Sequence, residues 1–347
     1  MRRLPLFLFA LAVCLVPIAA HADKHNLQTA QVAPATTFDS TAVGGYQDMP
    51  ALNINRPIDF LNDEDPGAAS DVTVNPPGEV PNVNSVANFS GSFTSGASTF
   101  TFRMMGGDPR VGHTTNIPTK IVTVDVVLLN ADGSVNTTVP VTQFVPFVLN
   151  SPNFKRADYT VGHVQFGDAV QRAEFFNHMK DNWHTNLAPV QVVGHTTVTV
   201  PFTVNLRIRG VVTPVRTWFT STGTDGNTVV FMLQQFFNQQ FSNVGVNAII
   251  SNQWTTDAMN IQLWPNTFLF TPSATPLVTR GSCCVLGFHT FFSDDSTPQN
   301  RWISAYASWT SPGTFRNADI LDVLPMSHEI LESFNDPFLD NLTPRWE

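Results

Sequence analysis

A histidine and two glutamates stand at helical spacing close to the C-terminal end of the sequence. Residues 324–337 read Leu-Pro-Met-Ser-His-Glu-Ile-Leu-Glu-Ser-Phe-Asn-Asp-Pro. His328 and Glu332 are four residues apart, so a helix would place both side chains on one face. With the same spacing, the two histidines of a His-Glu-x-x-His motif bind zinc while the glutamate between them acts as a general base.

In this sequence a glutamate occupies the position of the second histidine. A carboxylate binds zinc at about the same distance as an imidazole, so we expect His328 and Glu332 to be metal ligands and Glu329 to be the catalytic base. The added negative charge also suits the harder ions calcium and manganese. Asp336 would join the ligands if the last turn stays helical. The alternative is a solvated helix flank whose charged pair stabilises the helix without a metal.

The helix that must carry these residues is predicted over residues 317–335. It ends there because Pro337 cannot continue a helix and disfavours the helical conformation of the residue before it. Apolar side chains recur at helical spacing and predict packing against a core. They are Ile320, Val323, Leu324, Leu331 and Phe334.

A second histidine comes earlier, in a strand-like run. Residues 281–290 read Gly-Ser-Cys-Cys-Val-Leu-Gly-Phe-His-Thr, which places His289 on a strand that precedes the helix. A strand running beside a metal-binding helix would line the substrate cleft. His289 is therefore a third metal ligand, a stabiliser of the transition state, or a buried histidine bonded to the backbone, and the sequence leaves these roles open.

These two segments carry a resemblance to known secreted proteins. A Cys-x-x-Gly-Phe-His segment followed by Ser-His-Glu-x-x-Glu-x-x-x-Asp-Pro resembles the phosphate-induced, EXORDIUM-like proteins of plants. It resembles more closely secreted bacterial proteins with a Ser-His-Glu-x-x-Glu motif that ends in Asp-Pro. The resemblance covers residues 280–340. It implies an extracellular, cell-wall-associated protein of zincin-like metalloprotease ancestry, with a site composed of His289, His328, Glu329, Glu332 and Asp336.

The N-terminal residues predict secretion. Arg2 and Arg3 precede an apolar run over residues 4–20, and Ala-His-Ala at 20–22 offers a cleavage site, so residues 1–22 read as a signal peptide. The mature protein is expected to be extracellular or periplasmic, without a membrane anchor. Loss of the two arginines changes the formal charge from −9 to −11 (−9 − 2), which argues against a nucleic-acid partner.

The mature chain has too few cysteines for disulfides to stabilise the fold, so its hydrophobic core must do so. Once Cys14 is removed with the signal peptide, Cys283 and Cys284 remain. These neighbours can form a vicinal disulfide, bond to a cysteine outside this chain, or stay reduced, and the sequence does not choose among the three.

The fold class is predicted as α/β (α+β). Residues 23–95, rich in Pro, Asn, Ser, Thr and Gly, predict a loop-rich leader, and residues 96–347 predict one mixed, zincin-like domain with a β-rich body. We expect a mid-chain helix over residues 165–183, capped by Asp168, and a C-terminal metal-binding helix. Because zincin-like folds continue past their metal helix, we expect the domain to be truncated at its C-terminus. The predicted strands cover residues 98–104, 120–129, 139–149, 196–209, 268–271, 283–292 and 301–310.

Two functions follow from these observations. The first is a secreted metal-dependent hydrolase, a metallopeptidase that cleaves a peptide or protein substrate with a metal-bound water, with zinc as the expected metal. The second is a non-catalytic binding protein of the cell wall or cell surface that retains a structural or vestigial metal site. An exposed row of Trp264, Trp302 and Trp309 would favour the second, because exposed aromatic rings can stack on sugars.

Overall fold

The structure is a computed structural model that describes residues 54–55, 83–95, 98–208, 211–270, 283–294, 297–315 and 320–341. The predicted signal peptide and most of the predicted leader lie outside these residues. The described residues include strands at Ile54–Asn55 and Asn88–Ser95, so parts of the segment predicted as a loop-rich leader form strands.

Strands outnumber helices throughout the described residues, which confirms the predicted β-rich body. The first strands are β1 (Ile54–Asn55), β2 (Asn88–Ser95), β3 (Ser98–Met105), β4 (Thr114–Leu129), β5 (Val135–Val139), β6 (Ala157–Tyr159), β7 (Gly162–Val164), β8 (His184–Val200) and β9 (Thr203–Ile208). The later strands are β10 (Val211–Arg216), β11 (Trp218–Thr222), β12 (Thr228–Leu233), β13 (Met259–Pro265), β14 (Thr267–Phe270), β15 (Cys283–Val285), β16 (Gly287–Asp294) and β17 (Thr297–Trp309). The helices are α1 (Val145–Leu149), α2 (Phe166–Glu174), α3 (Gln234–Ile250) and α4 (Leu324–Asn335).

One large, curled sheet organises the fold. Its strands follow the order β1-β16-β17-β13-β4, with β5 and β8 also paired to β4. The pairs β4–β8, β4–β13 and β13–β17 are parallel, whereas β16 runs antiparallel to both β17 and β1. The strand that carries His289 therefore lies towards one side of the sheet, next to a hairpin partner.

The sheet separates two hydrophobic cores. Alternation along β13 shows the division: Met259, Ile261 and Leu263 belong to the core under α4, while Trp264 belongs to the core under α3. Since both faces of β13 are covered, every residue of this strand is buried. Among the described residues, no helix is both long and apolar enough to cross a membrane.

Helix α4 is present but shorter than predicted. Residues 317–319 lie outside the described part, and the helix begins at Leu324 rather than before Ile320. Asp322 has a φ of +51°, a left-handed conformation that a continuing helix excludes, and Pro325 then occupies the first turn. The prediction that Leu324 faces the core is wrong, because this side chain is exposed. The buried residues of α4 are Pro325, Met326, Glu329, Ile330, Ser333 and Phe334.

Other predicted elements also need correction. The strand predicted over residues 139–149 ends at Val139, where Pro140 follows, and its second part forms α1, whose first turn contains a proline. The strand predicted over residues 196–209 is two strands separated at Pro201. The longest helix in the described residues, α3, lies outside the elements predicted from the sequence.

The mid-chain helix lies where it was predicted, as α2, but it stops at Glu174. Asp168 is not its N-cap. Gln165 occupies that position, and Asp168 sits in the first turn with its side chain fully buried. Its oxygens accept hydrogen bonds from His184 Nδ1 at 2.7 Å and from the backbone N–H of Thr185 at 3.0 Å. The carboxylate thus joins α2 to β8 instead of capping the helix.

Candidate metal centre

The candidate site lies where α4 packs across β16 and β17. Positions 287 and 289 lie on the same face of β16, because successive residues of a strand alternate between its two faces. Opposite them on β17 are two alanines, Ala307 and Ala305. The small residues leave room for polar side chains of α4 to reach the sheet.

Gly287 makes the closest of these approaches possible. A Cβ atom at this position would lie 2.7 Å from both Cγ and Oε1 of Glu329, closer than real Cβ contacts allow. The absence of a side chain at Gly287 therefore sets where the carboxylate of Glu329 can lie. Glu329 is buried at that point, with 4% of its surface exposed.

His289 is held between the strand and the end of the helix, and it is 9% exposed. Its Nε2 lies 3.1 Å from the backbone oxygen of Asp336, and its Nδ1 lies 2.9 Å from Oε2 of Glu332. The same Nδ1 is 3.9 Å from Oε2 of Glu329. Because a carbonyl oxygen can only accept a hydrogen bond, Nε2 carries a proton.

This tautomer directs the other nitrogen of His289 at two carboxylates. Carboxylates accept hydrogen bonds and also ligate metals, so the position beside Nδ1 suits either a second proton or a cation. Metal-binding histidines commonly donate the N–H of their second nitrogen to a backbone carbonyl, and His289 has this arrangement with Asp336.

Three residues could together hold a metal ion: His289, Glu329 and Glu332. Each offers one ligand atom, and these atoms all lie within 4.8 Å of one another. One imidazole and two carboxylates leave one coordination position open for water or substrate on a four-coordinate zinc. Manganese and calcium also accept such an oxygen-rich ligand set.

His328 lies on the exposed side of the cluster, 3.0 Å from Oε1 of Glu332. The side chains of His328 and Glu332 are 53% and 45% exposed. The hydrogen bond to Glu332 raises the pKa of His328 against the effect of burial. Burial by itself would raise the pKa of Glu332, but hydrogen bonds from His289 and His328 outweigh it and hold this pKa below its ordinary value.

Asp336 ends α4, and its side chain serves the turn that follows. Its Oδ1 accepts the backbone N–H groups of Asp340 at 3.0 Å and Asn341 at 3.2 Å. Burial raises the pKa of Asp336 to about 6. Two predicted metal ligands, Asp336 and His328, thus lie outside the group of three, whereas Glu329, predicted as the catalytic base, lies within it. The contact of Asp336 with His289 is through its backbone oxygen.

The structure brings together most of the residues that the sequence singled out. His289 meets Glu329 and Glu332, and His328 touches the group through Glu332. Sequence reasoning missed Gly287, although a glycine two residues before His289 on a strand was the available signal for a close approach.

Two other sequence features have definite places. Trp264 is fully buried, and Trp302 and Trp309 are partly buried against the two cores, so these residues do not form an exposed row. Cys284 is disulfide-bonded, which removes the reduced alternative for that residue.

Comparison of the chain with models of protein families, with curated proteins and with solved structures finds no match.

Proposed function

We propose that this protein is a secreted metal-dependent hydrolase, a metallopeptidase of zincin-like type. The observation that carries the proposal is the cluster of His289, Glu329 and Glu332, whose ligand atoms converge between a sheet strand and a helix. The His-Glu-x-x-Glu spacing on α4 and the signal-peptide pattern at the N-terminus add support from the sequence.

The chain's own residues divide the work as follows. His289 Nδ1, Glu332 and Glu329 would bind the ion, and His328 would orient the carboxylate of Glu332 through their 3.0 Å contact. When bound, zinc would polarise the carbonyl group under attack and lower the pKa of the attacking water. His328 is exposed and hydrogen-bonded to a carboxylate, so it can exchange protons with a substrate at the edge of the site.

The shape of the site supports a polymeric substrate. Glu329 and His289 form its buried side, whereas Glu332 and His328 open it to the surface along one face of α4. A polypeptide can lie across such a surface with its reacting carbonyl beside the cluster. Peptides and proteins are therefore the proposed substrate class.

The first test is metal content and peptide hydrolysis of the whole secreted protein purified without chelator. We expect near-stoichiometric zinc in the wild type and its loss in His289→Ala and in Glu332→Ala, together with loss of turnover. His184→Ala is the matched control, because this histidine also pairs with a carboxylate but lies on β8. Zinc retained in both cluster variants would refute the site.

A second test separates two roles for Glu329. Its oxygen lies within the group of three, so we expect Glu329→Gln to lower zinc affinity by about tenfold or more. The sequence instead predicted a general base. In that case Glu329→Gln would keep zinc and fold while hydrolysis stops, and this outcome would assign Glu329 to proton transfer rather than to metal binding.

One observation favours a second candidate, a non-catalytic protein in which the cluster fastens α4 to the sheet. His289 and Glu332 already bridge β16 and α4 at 2.9 Å, so a metal there would act as a structural clip. This candidate predicts that zinc raises the melting temperature while no peptide is cleaved. Turnover that depends on both zinc and Glu332 would exclude it.

A further inference from the structure

The backbone oxygen of Asp336 decides which nitrogen of His289 faces the carboxylates. It accepts the Nε2 proton at 3.1 Å, and this leaves Nδ1 on the side of Glu332. A carbonyl can impose a tautomer in this way only if its own direction is fixed. What fixes this carbonyl is therefore part of the construction of the site.

Asp336 lies at the end of α4, where backbone direction is normally least restrained. Its N–H still donates to Glu332 O at 2.7 Å, but its φ of −147° and ψ of 67° have left the helix. The following turn folds back, and the carboxylate of Asp336 accepts the N–H groups of Asp340 and Asn341. The turn thus closes on the residue whose carbonyl contacts His289.

Asn341 ties this turn to a distant strand. Its side-chain oxygen accepts the backbone N–H of Arg103 at 2.6 Å, and its Nδ2 donates to the backbone oxygen of Arg103 at 2.8 Å. Nδ2 also donates to the backbone oxygen of Asn335. One amide group therefore takes the place that a neighbouring strand would occupy beside β3, and it also holds the residue before Asp336.

We propose that Asn341 is a positioning residue for the metal centre, acting through the Asp336 carbonyl on the tautomer and orientation of His289. The proposal rests on the metal site proposed above, but its first consequence does not need a metal. Without the Asn341 amide, the turn loses its hydrogen bonds to the backbone of β3 and of Asn335, the Asp336 carbonyl is less restrained, and the His289 ring can present either nitrogen to Glu332.

Nuclear magnetic resonance of the imidazole N–H groups in the full, metal-free protein tests this directly. The Nε2 proton of His289 is assigned as the signal lost in His289→Gln. In the wild type we expect it to exchange slowly with water, and in Asn341→Ala we expect exchange about tenfold faster or more, because three hydrogen bonds that hold the turn are gone. Zinc affinity, titrated with the free ion, should fall by about tenfold.

Asn227→Ala is the matched control. Asn227 also donates two hydrogen bonds through Nδ2, to Asp225 and Ser311, but it lies in the turn between β11 and β12. It should leave the His289 proton unchanged at a similar loss of stability. If Asn341→Ala does not fold, Asn341→Asp retains the acceptor for Arg103 N–H, loses both donated bonds, and should show the same faster exchange.

The proposal is overturned if the His289 proton exchanges at the wild-type rate in whichever variant folds, or if Asn227→Ala accelerates it equally. Absence of hydrolysis in the wild type would count against the proposed function and leave this exchange result intact. Unchanged exchange in an active enzyme would have the opposite meaning.

Discussion

Two contacts between a helix and a strand each pair a histidine with an acidic residue, but they differ in how many carboxylates and histidines take part. Where α2 meets β8, the carboxylate of Asp168 accepts from His184 and from the N–H of Thr185, so each oxygen has one donor. Where α4 meets β16, Glu332 lies between His289 and His328, and Glu329 adds a second carboxylate within 3.9 Å of the same His289 nitrogen.

The difference lies in the count of donors and acceptors. The α2–β8 contact is closed, because a fully buried carboxylate has its hydrogen bonds filled by the fold itself. The α4–β16 contact instead brings two carboxylates, those of Glu332 and Glu329, to the same nitrogen of His289, and this concentration of negative charge favours a cation. A histidine beside an acidic residue is therefore a structural contact between α2 and β8, whereas between α4 and β16 it is part of a candidate metal site.

The largest expected effect lies at the closed contact. Asp168→Ala would leave His184 and the buried N–H of Thr185 without their acceptor, so we expect the free energy of unfolding to fall by about 3 kcal/mol. Urea unfolding measures this loss. Asp181→Ala, at an exposed aspartate, is the control and should cost less than about 0.5 kcal/mol. A loss under about 1 kcal/mol for Asp168→Ala would contradict the comparison.

Zinc should stabilise the folded protein only by binding at the α4–β16 contact, the open one of the two. A site filled at a zinc concentration a hundred times its dissociation constant adds about 2.7 kcal/mol to the free energy of unfolding. We expect this increment in the wild type and in His184→Ala, measured by thermal unfolding with and without zinc, and its absence in Glu332→Ala. An increment that survives in Glu332→Ala but disappears in His184→Ala would reverse the assignment of the two contacts.

Filling the space at Gly287 should disturb the open contact by steric means. Gly287→Ala forces Glu329 away from its position, so we expect a loss of about 2 kcal/mol in the free energy of unfolding and weaker zinc binding. Gly107→Ala is the control, since its nearest neighbour would be Thr115 Oγ1 at an ordinary 3.4 Å. Adding Glu329→Ala to Gly287→Ala should recover stability but not zinc binding; no recovery would mean that the clash lies elsewhere.

The smallest expected effect concerns the exposed His328–Glu332 pair and depends on pH. The raised pKa of His328 stabilises the fold below its unfolded value of about 6.5, and the lowered pKa of Glu332 does so above its unfolded value of about 4.3. The contribution is therefore largest between these values. It is lost as the pH rises through the folded pKa of His328 or falls through that of Glu332.

Because both side chains are about half exposed, His328→Gln should cost only about 0.5 kcal/mol near pH 5.5 and less near pH 8.5. Urea unfolding in the presence of chelator at both pH values measures the difference. A cost that grows towards the higher pH would show that the pair is not stabilised by charge. His163→Gln is a control for an exposed histidine paired with an aspartate outside the cluster.

Local pattern predicted the strands that alternate and the helices that lack breakers. Residues 98–104 and 120–129 lie within β3 and β4, and the mid-chain helix begins one residue after its predicted start. Prediction from local pattern was wrong where a proline changed the backbone conformation, as in α1. It was also wrong at the start of α4, which begins later in the sequence than predicted because Asp322 has a left-handed conformation. These are effects of single backbone positions, to which hydrophobic periodicity is insensitive.

The candidate site was predicted in its residue types but not in its geometry. The spacing of His328 and Glu332 follows from the helix alone, and their 3.0 Å contact is consistent with it. The burial of Glu329 and the meeting of His289 with Glu332 depend on how β16, β17 and α4 pack. The hydrogen bonds of the Asn341 side chain depend on β3 as well, and no helical or strand periodicity relates residues so far apart in sequence.

The reach of the chain between paired residues has a consequence for folding. β4 pairs with β13 at Thr119 and Met259, and Asn341 bonds to Arg103 across 238 positions of sequence. Contacts of such high order form slowly, because the entropy of closing long loops is lost before the contacts are gained. The hydrogen bonds of Asn341 to Arg103 can form only after β3 and the segment that follows α4 have met, so a newly made chain would complete the surroundings of the candidate metal centre late in folding.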